Sequence, residues 1–244
     1  MIIAGLQKLT LLDYPGRLAA TIFTPGCDLR CPFCHNAPLV EEEGQTILSD
    51  GSNITGCINE SELTAFLKGR LGRLTGVAIT GGEPLMQDGI AHFIAGIKDL
   101  GYGVKLDTNG TYPEKLQLLI DKGLVDYIAM DVKNSWEHYP ETIGLEADKA
   151  APLIEKCKKS MDILKHSGID FEFRTTVVRE LHTESDIAEI AKAVGPVKNF
   201  FLQKFTDSGA ILRTGYSSHS DETLKEFAAI AKQYSPNVQL RGVD

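Results

Sequence analysis

The feature that most constrains the fold is an alternation. Short, near-continuous apolar runs occur at 18–24, 76–80, 104–106, 127–130, 171–178 and 199–203, and each precedes a stretch with helical spacing. The helical faces carry Leu63, Phe66, Leu67, Leu71 and Leu74; Ile90, Phe93, Ile94 and Ile97; Leu116, Leu119 and Ile120; Ile154, Cys157, Met161 and Leu164; and Ile187, Ile190, Ala191 and Val194. A last helix is expected at 222–233. Strands that are apolar on both faces, alternating with amphipathic helices, imply a parallel sheet covered by helices. Six strand–helix units fall short of the eight of a closed barrel. The expected fold class is therefore α/β, an incomplete (β/α)6 TIM-like barrel with parallel strands; an open doubly wound sheet is its rival. A chain of 244 residues, 43% hydrophobic, fits one domain. We read 1–244 as a single domain, with a core at about 18–204 and a C-terminal extension at 205–244. Residues 1–17 read as an irregular lead-in, 37–60 as a polar excursion, and 238–241 as extended.

Sites in parallel α/β folds gather at the carboxyl ends of the strands. After the first run stand Cys27, Cys31 and Cys34, with three and then two residues between them. Three thiolates in eight residues suit zinc, copper(I) or an iron–sulfur cluster. A full cluster set is four cysteines, and no fourth lies nearby. A three-thiolate cluster leaves one iron open, as metals that do chemistry require. The alternative is a structural zinc site completed by His35, but such sites usually come as two separated ligand pairs. The other strand ends carry Gly81-Gly82-Glu83-Pro84, Asp107-Thr108-Asn109-Gly110, Asp131 with Lys133, and Gln203 with Lys204. Arg174 interrupts the apolar fifth strand, where a guanidinium needs a partner. One rim thus collects a metal site, carboxylates and cations, which suits a zwitterionic, cationic-sulfur ligand.

The net charge of -8 argues against nucleic acid as the main partner. Five cysteines, three of them crowded, fit a reducing compartment better than a disulfide framework. The first residues lack a signal-peptide pattern and no run has the length of a membrane span, so a cytoplasmic location is expected, without a membrane partner.

The pattern Cys-x3-Cys-x2-Cys with Phe33 before its last cysteine, followed by Gly81-Gly82-Glu83, resembles the radical S-adenosylmethionine enzymes. Gly5-Leu6-Gln7-Lys8, Asp13-Tyr14-Pro15-Gly16, Phe23-Thr24-Pro25-Gly26-Cys27, Cys34-His35-Asn36, Asp107-Thr108-Asn109-Gly110 and Asp131-Val132-Lys133 resemble the activating enzymes of glycyl-radical proteins. The likeness runs from residue 5 to about 204 and is strongest to activators of the anaerobic ribonucleoside-triphosphate reductase, with pyruvate formate-lyase activators close behind. The resemblance implies that Cys27, Cys31 and Cys34 hold a [4Fe–4S] cluster whose fourth iron binds S-adenosylmethionine through its amine and carboxylate. Reductive cleavage would give a 5′-deoxyadenosyl radical that takes a glycine Cα hydrogen from the partner protein. By matched position, Phe33 lies at the cofactor, and Gly81, Gly82 and Glu83 meet the methionine amine. Asp107 and Thr108 are ribose or cation-site residues, and Asp131, Lys133 and Arg174 serve the carboxylate region. Gln203 stands near where the pyruvate formate-lyase type has a histidine. A low-potential flavodoxin or ferredoxin is the implied electron donor. An incomplete barrel would leave a lateral opening for the partner's glycine loop.

The remaining unusual residues have plainer readings. Cys157 is expected to be a core thiol, Cys57 incidental, and His35 a loop hydrogen-bonder. Glu41-Glu42-Glu43 is a solvated run. Trp136 and Tyr139 are core or rim aromatics, and 205–220 is a candidate partner contact. A radical enzyme acting on a small molecule is the alternative function.

Overall fold

The computed structural model describes residues 1–41, 54–55, 58–207, 209 and 211–243. Cys57, Glu42 and Glu43 lie outside the described residues. The chain packs as two compact units.

The first unit comprises Met1–Asp28, Pro38–Thr108 and Glu114–Ile128. It contains strands β1 (Gly5–Thr10), β2 (Ala19–Thr24), β3 (Ile54–Thr55), β4 (Gly76–Gly81) and β5 (Gly103–Thr108), with helices α1 (Glu60–Lys68), α2 (Ile90–Asp99) and most of α3 (Pro113–Asp121). β2, β4 and β5 are parallel, with Ala20 opposite Val77 and Val77 opposite Val104. All three are buried on successive residues rather than alternate ones. That is the pattern of strands covered on both faces.

The second unit comprises Leu29–Ala37, Asn109–Pro113 and Ala129–Asp244. It contains β7 (Asp170–Val177), β8 (Phe200–Lys204) and β9 (Val238–Arg241), with helices α4 (Tyr139–Thr142), α5 (Ala147–His166), α6 (Glu184–Val194) and α7 (Asp221–Lys232). β7, β8 and β9 are parallel. Strand β6 (Tyr127–Asp131) has residues in both units. The strand order is β3-β1-β2-β4-β5-β6-β7-β8-β9. The sheet is open and mostly parallel, as the α/β expectation required.

Two local expectations need correction. Residues 5–10 are not irregular: β1 pairs antiparallel with β2, Leu6 opposite Ile22. Its centre, Gln7-Lys8-Leu9, is partly or fully exposed, so the segment shows no buried alternation to read. Leu71 does not share the buried face of α1; the helix stops at Lys68 with Gly69 as its cap, leaving Leu71 53% exposed. The end, 238–241, is extended as expected and forms a further parallel strand beside β8. β5 and β6 also run past their apolar cores, so Asp107, Thr108 and Asp131 are strand residues.

Helix α6 starts on a capping box. Thr183 accepts from the Asp186 backbone, and Asp186 accepts from the Thr183 backbone at 3.0 Å and its hydroxyl at 2.7 Å. Asp186 also accepts from the Ser135 hydroxyl at 2.5 Å and meets His138 Nδ1 at 2.6 Å. Burial alone would raise its carboxyl, but these bonds outweigh burial and hold it at about 2. Its stabilisation is therefore full above the ordinary carboxylate range and is lost as pH falls toward 2. Asp186→Ala removes the cap and strands the buried Ser135 hydroxyl, so we expect a loss of about 2 kcal/mol, or about 4–8 °C in thermal midpoint. The difference from the parent protein should shrink as pH approaches 2.

Among the described residues no helix is long and apolar enough to cross a membrane.

Candidate functional site

Each unit holds one part of the sequence-derived set. In the first, the carboxyl ends of β2 and β4 are tied by backbone bonds. Gly82 N–H donates to Thr24 O at 2.8 Å and Glu83 N–H to Gly26 O at 2.7 Å. Gly26 and Cys27 donate in turn to Leu39 and Val40. This closeness explains both glycines. Gly81 has a φ of +123°, and a Cβ there would lie 2.3 Å from Thr24 O. A Cβ on Gly82 would lie 2.0 Å from Gly26 O. The glycines admit the neighbouring strand end, a demand that exists before any ligand arrives.

Glu83 is 0% exposed. Its Oε1 accepts from Leu85 N–H at 3.0 Å and from the Thr108 hydroxyl at 2.9 Å. Glu83 and Thr108 are thus brought together. Asp107 accepts from Lys105 Nζ, two residues back on the same face of β5. Lys105 is buried and was not singled out from the sequence. The signal was present: a lysine inside an apolar strand is rare unless paired, and an aspartate stands at the i+2 position.

In the second unit, Arg174 Nε donates to Asp131 Oδ1 at 2.9 Å and Lys133 Nζ to Asp131 Oδ2 at 2.8 Å. The guanidinium in the apolar strand thus has its partner. Burial pushes Asp131 up, yet Arg174 and Lys133 outweigh it and hold the carboxyl well below its usual range. Burial pushes Lys133 down, while Asp131, Cys31 and Cys34 raise it above its ordinary value. Lys133 and Arg174 thus both serve Asp131. Lys133 is also close enough to Cys31 and Cys34 to oppose the effect of burial on both thiols. Burial still dominates and pushes Cys31 up to about 12. A bare thiol here stays protonated, and a bound metal supplies the charge that makes it a thiolate.

Cys34 N–H donates to Cys31 O at 3.1 Å, a turn that fixes their relative positions. Phe33 is buried edge-on against Phe205, with ring centroids 6.3 Å apart. His35 stacks on the same ring at 5.3 Å and bonds to the Thr206 backbone, so it is a loop hydrogen-bonder as expected. Arg213 N–H donates to Pro32 O at 2.9 Å, seating part of the 205–220 loop on the cysteine loop. Gln203 lies in β8 opposite Thr176 and Arg241. Lys204 is taken up by Asp221 at 2.6 Å. Cys157 is buried and its Sγ donates to Asn109 O at 3.3 Å, the expected core thiol. Tyr139 is fully buried and Trp136 packs on it, ring centroids 5.1 Å apart.

Among the described residues, no three His, Cys, Asp or Glu side chains converge on one ion. A cubane cluster places its thiolates on different irons, so it does not need single-ion convergence. The three thiols are therefore a donor set that suits a cluster.

Comparison with known proteins agrees. The radical SAM superfamily model matches residues 21–194. A Methanocaldococcus jannaschii protein, provisionally named a glycyl-radical enzyme activating enzyme, is 32% identical over 100% of this chain and 97% of its own length. A 7-carboxy-7-deazaguanine synthase of the same organism is 27% identical over 81% of this chain and 79% of its own. The pyruvate formate-lyase-activating enzyme of Listeria monocytogenes is 29% identical over 62% and 60%. In structure, Streptococcus suis SuiB bound to its precursor peptide SuiA aligns with a TM-score of 0.66 at 14% identity, over 91% of this chain and 48% of that one. Members of the superfamily use a [4Fe–4S] cluster and S-adenosylmethionine. With a family model across most of its length and a full-length relative at its side, the chain belongs to the radical SAM superfamily and, within it, to the glycyl-radical enzyme activating enzymes.

Proposed function

We propose that this protein installs a glycyl radical on a partner protein, and that the partner is an anaerobic ribonucleoside-triphosphate reductase. The full-length likeness to a glycyl-radical enzyme activating enzyme carries the first half. The second rests on the motif set, from Gly5-Leu6-Gln7-Lys8 through Asp131-Val132-Lys133.

When bound, the cluster and S-adenosylmethionine supply one-electron cleavage of a sulfonium bond and abstraction of a hydrogen atom. The chain's own residues hold and orient. Cys27, Cys31 and Cys34 are the cluster ligands. Gly81, Gly82 and Glu83 serve the methionine amine, and the burial of Glu83 behind Thr108 keeps that turn in one shape. Lys133 and Arg174 face the carboxylate; the placing of both cations beside Asp131, with Lys133 near Cys31 and Cys34, supports this assignment. Asp107 and Thr108 serve the ribose, and Phe33 and Gln203 complete the cofactor surround. The electron donor is a low-potential flavodoxin or ferredoxin, and the setting is the cytoplasm.

The test mixes reconstituted, reduced protein with S-adenosylmethionine and a candidate reductase. A glycyl-radical doublet in the EPR spectrum is expected. Turnover of a small molecule with no doublet on any candidate partner would favour the second reading, a small-molecule enzyme, which the likeness to a deazaguanine synthase keeps in play.

A further inference from the structure

The Val132-Lys133-Asn134 turn is bonded at several points inside the second unit. Thr175 Oγ1 donates to Val132 O at 2.8 Å, and Val132 N–H to Arg174 O at 2.8 Å. Asn134 Nδ2 donates to Thr142 Oγ1 and to Leu181 O, each at 2.8 Å. Lys133 O lies 2.8 Å from Nε2 of His182. His182 is 1% exposed and stands between β7 and α6, next to the Thr183 cap.

The bonds of His182 decide its tautomer. Its Nδ1 lies 3.1 Å from the Val178 N–H, which can only donate, so Nδ1 offers its lone pair. Nδ1 also lies 3.2 Å from the Val178 carbonyl, which accepts the backbone N–H of His182 at 3.0 Å, so the contact that decides is the one at Nε2. The ring proton therefore sits on Nε2 and points at Lys133 O. The other tautomer would press two lone pairs together at 2.8 Å. Burial lowers the pKa of the imidazole, which agrees with a neutral ring. On its carbonyl side, His182 accepts from His219 Nε2 at 3.1 Å.

We infer that His182 is a positioning residue: through its Nε2–H it holds the Lys133 backbone so that the ammonium is presented to Asp131 and to the carboxylate of S-adenosylmethionine. A free lysine chain on a loosened turn would lose that aim, because its stem has four rotatable bonds. The inference rests on the reading of Lys133 as the carboxylate contact, and its test separates the two.

The experiment measures S-adenosylmethionine binding to the cluster-loaded protein by titration calorimetry, with iron content and thermal midpoint recorded in parallel. Four variants are compared: His182→Asn, His182→Gln, Lys133→Met, and His182→Asn with Lys133→Met. Asparagine can still serve Val178 but is too short for Lys133 O, whereas the glutamine amide reaches the Nε2 position. We expect Lys133→Met and His182→Asn each to weaken binding about 10-fold or more, the range of outer-shell support. His182→Gln should stay within about 3-fold of the parent, and the double variant should match Lys133→Met alone within the same margin. Normal binding in His182→Asn beside weakened binding in Lys133→Met overturns the inference and leaves the Lys133 reading intact. Normal binding in Lys133→Met overturns that reading. Multiplied losses in the double variant, or a fall in thermal midpoint without a change in affinity, would mean that His182 does not act through Lys133.

Discussion

Replacing Cys31 with alanine is expected to abolish the cluster. Iron content should fall, and reductive cleavage of S-adenosylmethionine should drop by more than about 100-fold, beyond the range of outer-shell changes. The reason is the thinness of the ligand set. Three thiolates serve a cluster that ordinarily has four, so losing one leaves two. Cys31 is also buried against a turn shared with Cys34. Cys157→Ser is the control, since that thiol bonds to Asn109 O inside the second unit. It should keep its iron. Iron retained with full cleavage in Cys31→Ala would overturn the ligand assignment.

The second large effect is at Asp131. Asp131→Asn keeps the shape and removes the charge, leaving Lys133 and Arg174 as two half-buried cations without the Asp131 anion. Weakening these charge-assisted bonds in a half-buried site should cost about 2–3 kcal/mol. For a chain of this size the thermal midpoint should fall by roughly 4–12 °C. The sign of the pH dependence follows from the depressed carboxyl. The parent gains this stability above the ordinary carboxylate range and loses it only as strong acid protonates Asp131. The variant should therefore be less stable by a constant margin across neutral pH. Equal midpoints for the two proteins at pH 7 would show that the three charges are not coupled.

How much of this could be read in advance differs by residue. The parallel strands were legible because burial on both faces leaves continuous apolar runs. β1 was not, because a strand along the flank of β2 exposes Gln7, Lys8 and Leu9 to solvent and carries no period. Arg174 was recognised as needing a partner, and Asp131 is that partner, 43 residues earlier in the chain. Lys105 escaped attention because a single charge in a short strand resembles an edge position until its burial is known. His182 escaped for a different reason. A buried histidine has no spacing signature, and its role is written in the direction of one ring proton. The glycines of Gly81-Gly82-Glu83 were rightly marked as places of close approach. What approaches first is the backbone of Thr24 and Gly26, which no local pattern could name.

That last contact has a mechanical consequence. The bonds from Gly82 to Thr24, Glu83 to Gly26, Gly26 to Leu39 and Cys27 to Val40 join three distant stretches of chain through their main chains. None of these bonds belongs to a side chain, so only a residue that crowds the main chain itself, such as one with a Cβ at Gly81 or Gly82, would force the joint apart. The approach to Cys27 and the Gly81-Gly82-Glu83 turn therefore breathe as one body. A fluctuation large enough to release the first cysteine must open the turn beside it as well, so tolerance for motion in this unit lies elsewhere than at its strand ends.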